Sequence, residues 1–149
     1  MFKVRKALRG DAPVLVEFNA AMALETEDRE LDRELLEAGV SGIFEVPERG
    51  FYLVAENESG IVGSLMVTTE WSDWRNGDFW WVQSVFVRPE FRKQGVFALL
   101  YETVRGMAQQ ADRVCGCRLY VEKENESARV AYRKRGFLET PYRLYEDPF

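Results

Sequence analysis

Apolar side chains recur every three or four residues in four parts of the chain, which is the spacing that gathers them on one face of a helix. The predicted helices are one that follows Asp11 as its N-cap, one over residues 27–38, one that opens at Gly95 and one over residues 126–135. Gly39 and Gly136 follow the second and the fourth of these segments. We expect both glycines to end a helix, because glycine accepts the left-handed backbone of a helix C-terminus.

Runs of apolar and β-branched residues predict the strands between these helices. The predicted strands cover residues 4–8, 51–56, 61–69, 79–87 and 117–121, with a last, interrupted strand from Phe137 onward. The turn-prone sequence at 57–60 joins the second strand to the third and favours an antiparallel meander. The order β-α-α-β-β-β-α-β-α-β has no linker or repeat within it. It predicts one domain over residues 1–149, of the mixed α/β (α+β) class.

Composition excludes several classes of protein. The 20 basic residues against 25 acidic ones give a net charge of −5, which argues against a protein whose main task is to bind nucleic-acid phosphates. No apolar run approaches the roughly 18 residues of a membrane span, and the basic amino terminus lacks the apolar core of a signal peptide. A cytoplasmic protein with no membrane or nucleic-acid partner is the expectation.

The chain contains no histidine. Its absence excludes Ser-His-Asp and Cys-His nucleophile arrangements and imidazole-based zinc sites. Cys115 and Cys117 are too few soft ligands for a metal site, so we expect no metal. Any proton transfer must use carboxylates, Tyr, Lys, Cys or water held by them.

A short basic loop, Arg92-Lys93-Gln94-Gly95, joins the strand that ends at Val87 to the following helix. The first N–H groups of a helix lack internal acceptors and lie at the positive end of its dipole. The junction therefore predicts an anion site that suits a phosphate. A basic loop that only caps an ordinary helix stays open as the alternative.

A second segment, NESARVAYRKRGF at 125–137, adds to the loop sequence RKQGVF. Together they resemble the GNAT superfamily of N-acetyltransferases. The usual loop pattern Arg/Gln-x-x-Gly-x-Gly/Ala is matched by Arg92 and Gly95. The usual helix pattern is matched by Asn125, Ala128, Tyr132, Lys134, Gly136 and Phe137. Phe97 departs from the Gly or Ala that is usual at its position, and we expect its side chain to turn towards the core.

The resemblance implies a single GNAT-like domain with a twisted, mixed, mostly antiparallel sheet of six to seven strands and about four flanking helices. It implies transfer of an acetyl group from acetyl-CoA, as co-substrate, to a primary amine by direct transfer in a ternary complex. The alternative is a catalytically inactive CoA-binding sensor or interaction module on the same fold. A homodimer stays open.

The resemblance also implies which residues bind acetyl-CoA. They are Val85, Phe86 and Val87 of the strand, the amides of Arg92, Lys93, Gln94, Gly95, Val96 and Phe97, and the side chains of Asn125 and Tyr132. The strand backbone would pair with the pantetheine arm, and the loop amides would hold the pyrophosphate. Tyr132 would protonate the departing thiolate as general acid, with a core aromatic as the alternative. Asn125 is either a pantetheine contact or an N-cap.

An ammonium acceptor must lose a proton before it attacks a thioester. Glu25 is the first candidate for the base, with a solvated carboxylate at a helix end as the alternative. Glu70, Trp71, Asp73 and Trp74 lie in a segment rich in tryptophan and acids. We expect them to form one wall of an acceptor pocket, in which aromatic faces and carboxylates receive a cationic amine.

Overall fold

A computed structural model describes all residues from 1 to 149, with five strands and four α-helices. The strands are β1 (Lys3–Lys6), β2 (Gly50–Asn57), β3 (Gly60–Ser72), β4 (Gly77–Val87) and β5 (Val114–Arg118). The helices are α1 (Ala12–Glu27), α2 (Arg33–Glu45), α3 (Val96–Gln110) and α4 (Glu126–Lys134). The chain divides into two compact units, Met1–Leu119 and Tyr120–Phe149. The predicted mixed α/β class is confirmed.

The Met1–Leu119 unit contains one sheet with the order β1-β2-β3-β4-β5. The first four strands are antiparallel neighbours, which confirms the predicted meander, and β5 runs parallel to β4. Tyr52 and Val54 of β2 pack in one core cluster with residues of α1 and α2. On β3, Gly63 meets Val96 of α3 and pairs with Ala55, whose side chain points to the opposite face from that of Val54. Both faces of the sheet are therefore covered.

The second helix differs from its prediction in both bounds. It begins after Asp32, whose carboxylate accepts a hydrogen bond from the Leu35 amide at 3.1 Å, and it continues through Gly39 to Glu45. Val40 and Ile43 are buried, whereas Leu35 is 72% exposed. The prediction of a stop at Gly39 was wrong, because burial of residues beyond it outweighs the low helix propensity of one glycine.

The end of the chain contains fewer strands than predicted. β5 lies three residues earlier than the predicted strand at 117–121, and no strand follows α4, so the sheet has five strands rather than six to seven. Within the Tyr120–Phe149 unit, Pro141 lacks the amide that a strand ladder needs. Tyr142 and Tyr145 are 75% and 87% exposed, so no apolar face is buried there that would fix a strand.

The first helix begins where it was predicted, but its N-cap bonds differently. The Asp11 carboxylate accepts from the Leu8 amide at 2.7 Å and from Arg5 at 2.8 Å, and it makes no bond to the first amides of α1. Asp11 therefore fixes the connection between β1 and α1 instead of satisfying the helix end. No helix in the chain combines the length and the apolar character needed to cross a membrane.

The continuation of α2 through Gly39 predicts that Gly39→Ala stabilises the protein. Gly39 has open space around the position of a Cβ atom and lies inside a helix, where alanine is more favourable than glycine by about 0.5–1 kcal/mol. We expect a higher Tm in thermal unfolding followed by circular dichroism. A lower Tm would show that Gly39 adopts the left-handed conformation of a helix end.

Gly63→Ala is the matched control. A Cβ atom at Gly63 would lie 3.1 Å from the Phe86 carbonyl oxygen and 3.1 Å from Cγ1 of Val96. We expect this substitution to lower the stability by about 1–3 kcal/mol, because the backbone of β4 and the start of α3 must move apart.

Candidate active site

The fourth strand has a strand neighbour on each side for only part of its length. β5 pairs with β4 from Asp78 to Trp81 and then ends at Arg118. Residues 82–87 of β4 therefore have β3 on one side and no strand on the other. Backbone N–H and C=O groups along this edge are available to an extended ligand, which can bind as an added strand.

A β-bulge interrupts β4 within the same stretch. Ser64 pairs with Phe86 and Met66 pairs with Gln83, so one residue of β3 faces both Ser84 and Val85. Ser84 has φ of 51°, an uncommon backbone conformation for a residue other than glycine. A bulge changes the direction of the backbone groups beside it, which is a feature of strands that contact ligands.

The strand residues expected to bind the cofactor lie along this edge, but one of their backbone carbonyls already accepts a hydrogen bond within the protein. Val85 and Val87 are half-buried, and Phe86 is buried with its ring 4.9 Å from that of Phe18 on α1. The Val87 carbonyl accepts a hydrogen bond from Nε of Arg92 at 2.9 Å. The backbone between Gln83 and Phe86 is therefore the better candidate for pairing with a ligand.

The loop before α3 collects backbone donors. The first internal hydrogen bond of α3 runs from the Leu99 amide to the Gly95 carbonyl at 3.0 Å. The four amides of residues 93–96 have no acceptor within the chain. Lys93 and Gly95 have φ of 61° and 84°, the kind of backbone that gathers successive N–H groups around an anion. The amide of Arg92 does not belong to this group, because it donates to Pro89.

Phe97 is half-buried, and its side chain does not turn into the core, contrary to the expectation from the sequence. Its ring stacks on that of Tyr101 with a centroid distance of 6.2 Å and an interplanar angle of 14°. Val96 and Leu100 take the core positions instead. The reason is the phase of α3, which Gly95 sets by starting the helix with Val96 facing the sheet.

An ion pair joins the loop to α1. Nη1 and Nη2 of Arg92 donate to the two carboxylate oxygens of Glu25 at 2.6 and 2.9 Å. Hydrogen bonds from Arg92 lower the pKa of the Glu25 carboxyl below its usual value. The predicted base is thus ionised at neutral pH and held beside the end of β4, although a lower pKa also makes it a weaker base.

The predicted acceptor residues at 70–74 lie at the other end of β4. They belong to the hairpin between β3 and β4, where Glu70 accepts from Arg118 at 2.7 Å and Trp71 and Trp74 are 55% and 86% exposed. Asp73 is exposed in the turn. Glu70 pairs with Phe79, eight residues before the end of β4, which is roughly 26 Å along an extended strand. The structure does not bring the hairpin residues together with Glu25.

Two predicted residues belong to the Tyr120–Phe149 unit. The Asn125 side chain is the N-cap of α4, because it accepts from the Ala128 amide at 3.2 Å. Tyr132 is half-buried on α4, and its ring meets that of Phe137 edge-on at 6.0 Å. Burial raises the pKa of the Tyr132 phenol, so the phenol is protonated at neutral pH.

Three features of the site were not predicted from the sequence. They are the bulge at Ser84, the contact of Val96 with Gly63 and the pairing of Arg92 with Glu25. The polar pair Gln83-Ser84 within an apolar strand was a signal for the first. Nothing local signals the third, because its partners are 67 residues apart.

Two other findings concern possible binding sites elsewhere on the surface. No group of three or more Cys, Asp or Glu side chains is arranged to hold a metal ion. A surface groove of about 430 Å³ lies between α1 and α2 and contains none of the predicted site residues. The open edge of β4 is thus the feature on which the candidate site depends.

Comparison with known families gives a consistent result. The sequence profile of the Acetyltransferase (GNAT) family matches residues 13–137. The chain belongs to the GNAT acetyltransferase family. No protein of curated function matches the sequence significantly.

Solved structures share the GNAT fold over the whole chain. A possible acetyltransferase from Clostridium difficile 630 is 37% identical, with a TM-score of 0.92 over 100% of this chain and 98% of that one. A predicted acetyltransferase with acetyl-CoA from Clostridium acetobutylicum is 18% identical, with a TM-score of 0.81 over 99% and 96%. The ribosomal-protein-alanine N-acetyltransferase of Brucella melitensis biovar Abortus 2308 is 15% identical, with a TM-score of 0.79 over 100% and 99%. The last two show likeness of fold alone.

The Glu25–Arg92 ion pair predicts a pH-dependent contribution to stability. Because the pKa of Glu25 is lowered in the folded state, the pair stabilises the protein above the ordinary glutamate pKa and loses its effect as the pH falls through the lower folded value. Both side chains are more than one third exposed, so the effect is below about 1 kcal/mol. Chemical denaturation should show wild type more stable than Glu25→Gln at pH 7, with the difference disappearing as the pH falls through the lowered pKa of Glu25.

Glu27→Gln is the control for this comparison, since Glu27 lies in the same turn of α1 and forms no ion pair. A gap between wild type and Glu25→Gln that stays constant with pH would contradict the prediction.

Proposed function

We propose that this GNAT chain is an N-acetyltransferase that transfers the acetyl group of acetyl-CoA to a primary amine of a small-molecule or peptide acceptor. The observation that carries the proposal is the open edge of β4 at residues 82–87, followed directly by the four amides of residues 93–96. An extended chain with a phosphate group fits this sequence of binding groups, because the edge suits its amides and the helix start suits its charge.

The residues present fit acetyl-CoA, which supplies an acetyl group activated as a thioester. Amides of residues 93–96 would hold the pyrophosphate, and Lys93 adds a positive charge beside them. The backbone of β4 at the Ser84 bulge would orient the pantetheine arm and donate a hydrogen bond to the thioester carbonyl. Main-chain groups held in a sheet need no reorganisation for this task.

The positions of the cysteines support direct transfer in a ternary complex. Cys117 pairs with Trp80 in the part of β5 that is bound to β4, away from the open edge. Burial raises the pKa of the Cys117 thiol, which lowers its thiolate fraction. The Cys115 thiol donates to the Asp78 carbonyl, at the beginning of β4. Neither thiol has the setting of an acyl-carrying nucleophile.

Glu25 is the proposed base for the acceptor ammonium, acting directly or through a water molecule. Its carboxylate is one guanidinium away from the carbonyl of Val87, at the end of the open edge. The hairpin residues Glu70 and Trp74 would contact only an acceptor that extends roughly 17 Å or more along β4 from the Ser84 bulge. A small cationic amine is therefore proposed to meet Glu25 and not the hairpin.

Tyr132 is the proposed general acid that protonates the departing CoA thiolate. The assignment rests on the family pattern at Asn125, Ala128 and Tyr132, and the raised pKa keeps the phenol protonated at neutral pH. The N-cap bond of Asn125 supports a structural task for that side chain, so we assign it no contact with the cofactor.

Binding of acetyl-CoA is tested first by thermal unfolding with and without ligand. At about 100 times its Kd, acetyl-CoA should stabilise the folded protein by roughly 2.7 kcal/mol. Desulfo-CoA should act similarly, because the loop recognises the phosphate groups, whereas ATP lacks the pantetheine arm and should give a smaller shift. No shift at millimolar acetyl-CoA would contradict the proposal.

Tyr132→Phe tests the enzyme against a binding module. With a panel of primary amines and a thiol-reactive dye that detects released CoA, the substitution should lower kcat by about 10²–10⁴-fold. The thermal shift with acetyl-CoA should remain. Tyr142→Phe, at an exposed tyrosine, is the control.

Two results would contradict these assignments. Unchanged turnover in Tyr132→Phe would remove Tyr132 as general acid. A clear thermal shift without CoA release for any amine would favour the inactive CoA-binding module over the enzyme.

A further inference from the structure

The last turn of α1 is attached to the rest of the Met1–Leu119 unit by one polar side chain. Every residue from 24 to 30 is exposed. Among these side chains, only Glu25 forms an ion pair or a hydrogen bond outside α1, and its partner is Arg92. Leu24 is 59% exposed, so apolar packing contributes little to this turn. Apart from the hydrogen bonds within the helix and its cap, local opening of the turn is therefore opposed by the Glu25–Arg92 pair.

The guanidinium of Arg92 is held on three sides within the protein. Its Nη groups donate to Glu25, and its Nε donates to Val87 at 2.9 Å. Its plane faces the ring of Phe86 at 5.6 Å, and that ring packs against Phe18 of α1. Three of its five N–H groups are thus used, and its charge is directed at α1 and not into the loop.

In this loop the Arg92 side chain and the backbone amides of residues 93–96 therefore have separate tasks. The Arg92 side chain contacts α1 and the end of β4, whereas the amides of residues 93–96 have no acceptor in the chain. A ligand that fixes these amides also fixes the backbone of Arg92, one residue away. The position of the guanidinium then determines where the Glu25 carboxylate can bind.

Resting on the function proposed above, we propose that Arg92 is a positioning residue that couples acetyl-CoA binding at the loop to the last turn of α1 through Glu25. Binding at the amides of residues 93–96 orders this turn, which contains the carboxylate proposed as base. The acceptor side of the site is thereby arranged once acetyl-CoA is in place.

The test is hydrogen exchange with mass spectrometry, with and without saturating acetyl-CoA. In wild type we expect slower exchange in the loop at 93–98 and, by roughly fivefold or more, in the peptide 23–30. In Glu25→Gln and Arg92→Gln only the loop should be protected. Neither substitution changes the amides of residues 93–96, and the Arg92 side chain is bound to Val87 and Glu25, so acetyl-CoA should bind both variants within about threefold of wild type.

Glu27→Gln is the matched control and should behave as wild type. Protection of peptide 23–30 that persists in Glu25→Gln and Arg92→Gln would overturn the coupling. A loss of acetyl-CoA affinity beyond about tenfold in Arg92→Gln alone would make Arg92 a phosphate ligand and would also overturn it. If neither the loop at 93–98 nor the peptide 23–30 of wild type is protected, the proposed function itself is contradicted, because acetyl-CoA then does not bind at the loop. The unprotected loop distinguishes this result from a failure of the coupling alone.

Discussion

The backbone of an interior strand must find hydrogen-bond partners on both of its sides, and β4 finds strand partners on both sides for only part of its length. After Trp81 its neighbour β5 has ended, and the bulge at Ser84 and Val85 breaks the regular ladder with β3. The rest of the candidate site is arranged around this interruption. The strand ends beside a loop of unpaired amides, and the helix that follows starts where Val96 packs against Gly63. The open edge of β4, which can pair with an extended ligand, thus leads directly into the anion site at the start of α3.

The Arg92–Glu25 ion pair links this edge to α1 through its orientation more than through its contribution to global stability. Arg92 and Glu25 are 38% and 46% exposed at their side chains, so their pair contributes less than about 1 kcal/mol to global stability. The end of an exposed helix, however, opens at a comparably small cost. A weak but well-oriented pair therefore changes the free energy of opening this turn by an amount comparable with that cost. The same pair would be negligible if it bound a turn already fixed by apolar packing.

Turns and helix ends that depend only on neighbouring residues were predicted correctly from the sequence. The turn at 57–60, the start of α3 at Gly95 and the end of α4 at Gly136 are local features, and the structure contains all three. Features that depend on distant packing were predicted less well. Gly39 has a local signal for a helix end, but burial of Val40 and Ile43 carries the helix past it. For the missing strand after Phe137, Pro141 is the one local signal, whereas the pairing of residues 67 positions apart has none.

The acceptor wall shows how proximity in sequence misleads about a site on a long strand. Glu70 and Trp74 are near β4 in sequence, and the hairpin register does place Glu70 beside Phe79. From Phe79 the extended strand continues for eight residues, so it ends roughly 26 Å away, where the loop begins. Glu25 is far from that loop in sequence but is bound to it directly. The proposed contact of a small amine with Glu25 follows from this bond to the loop and not from proximity in sequence.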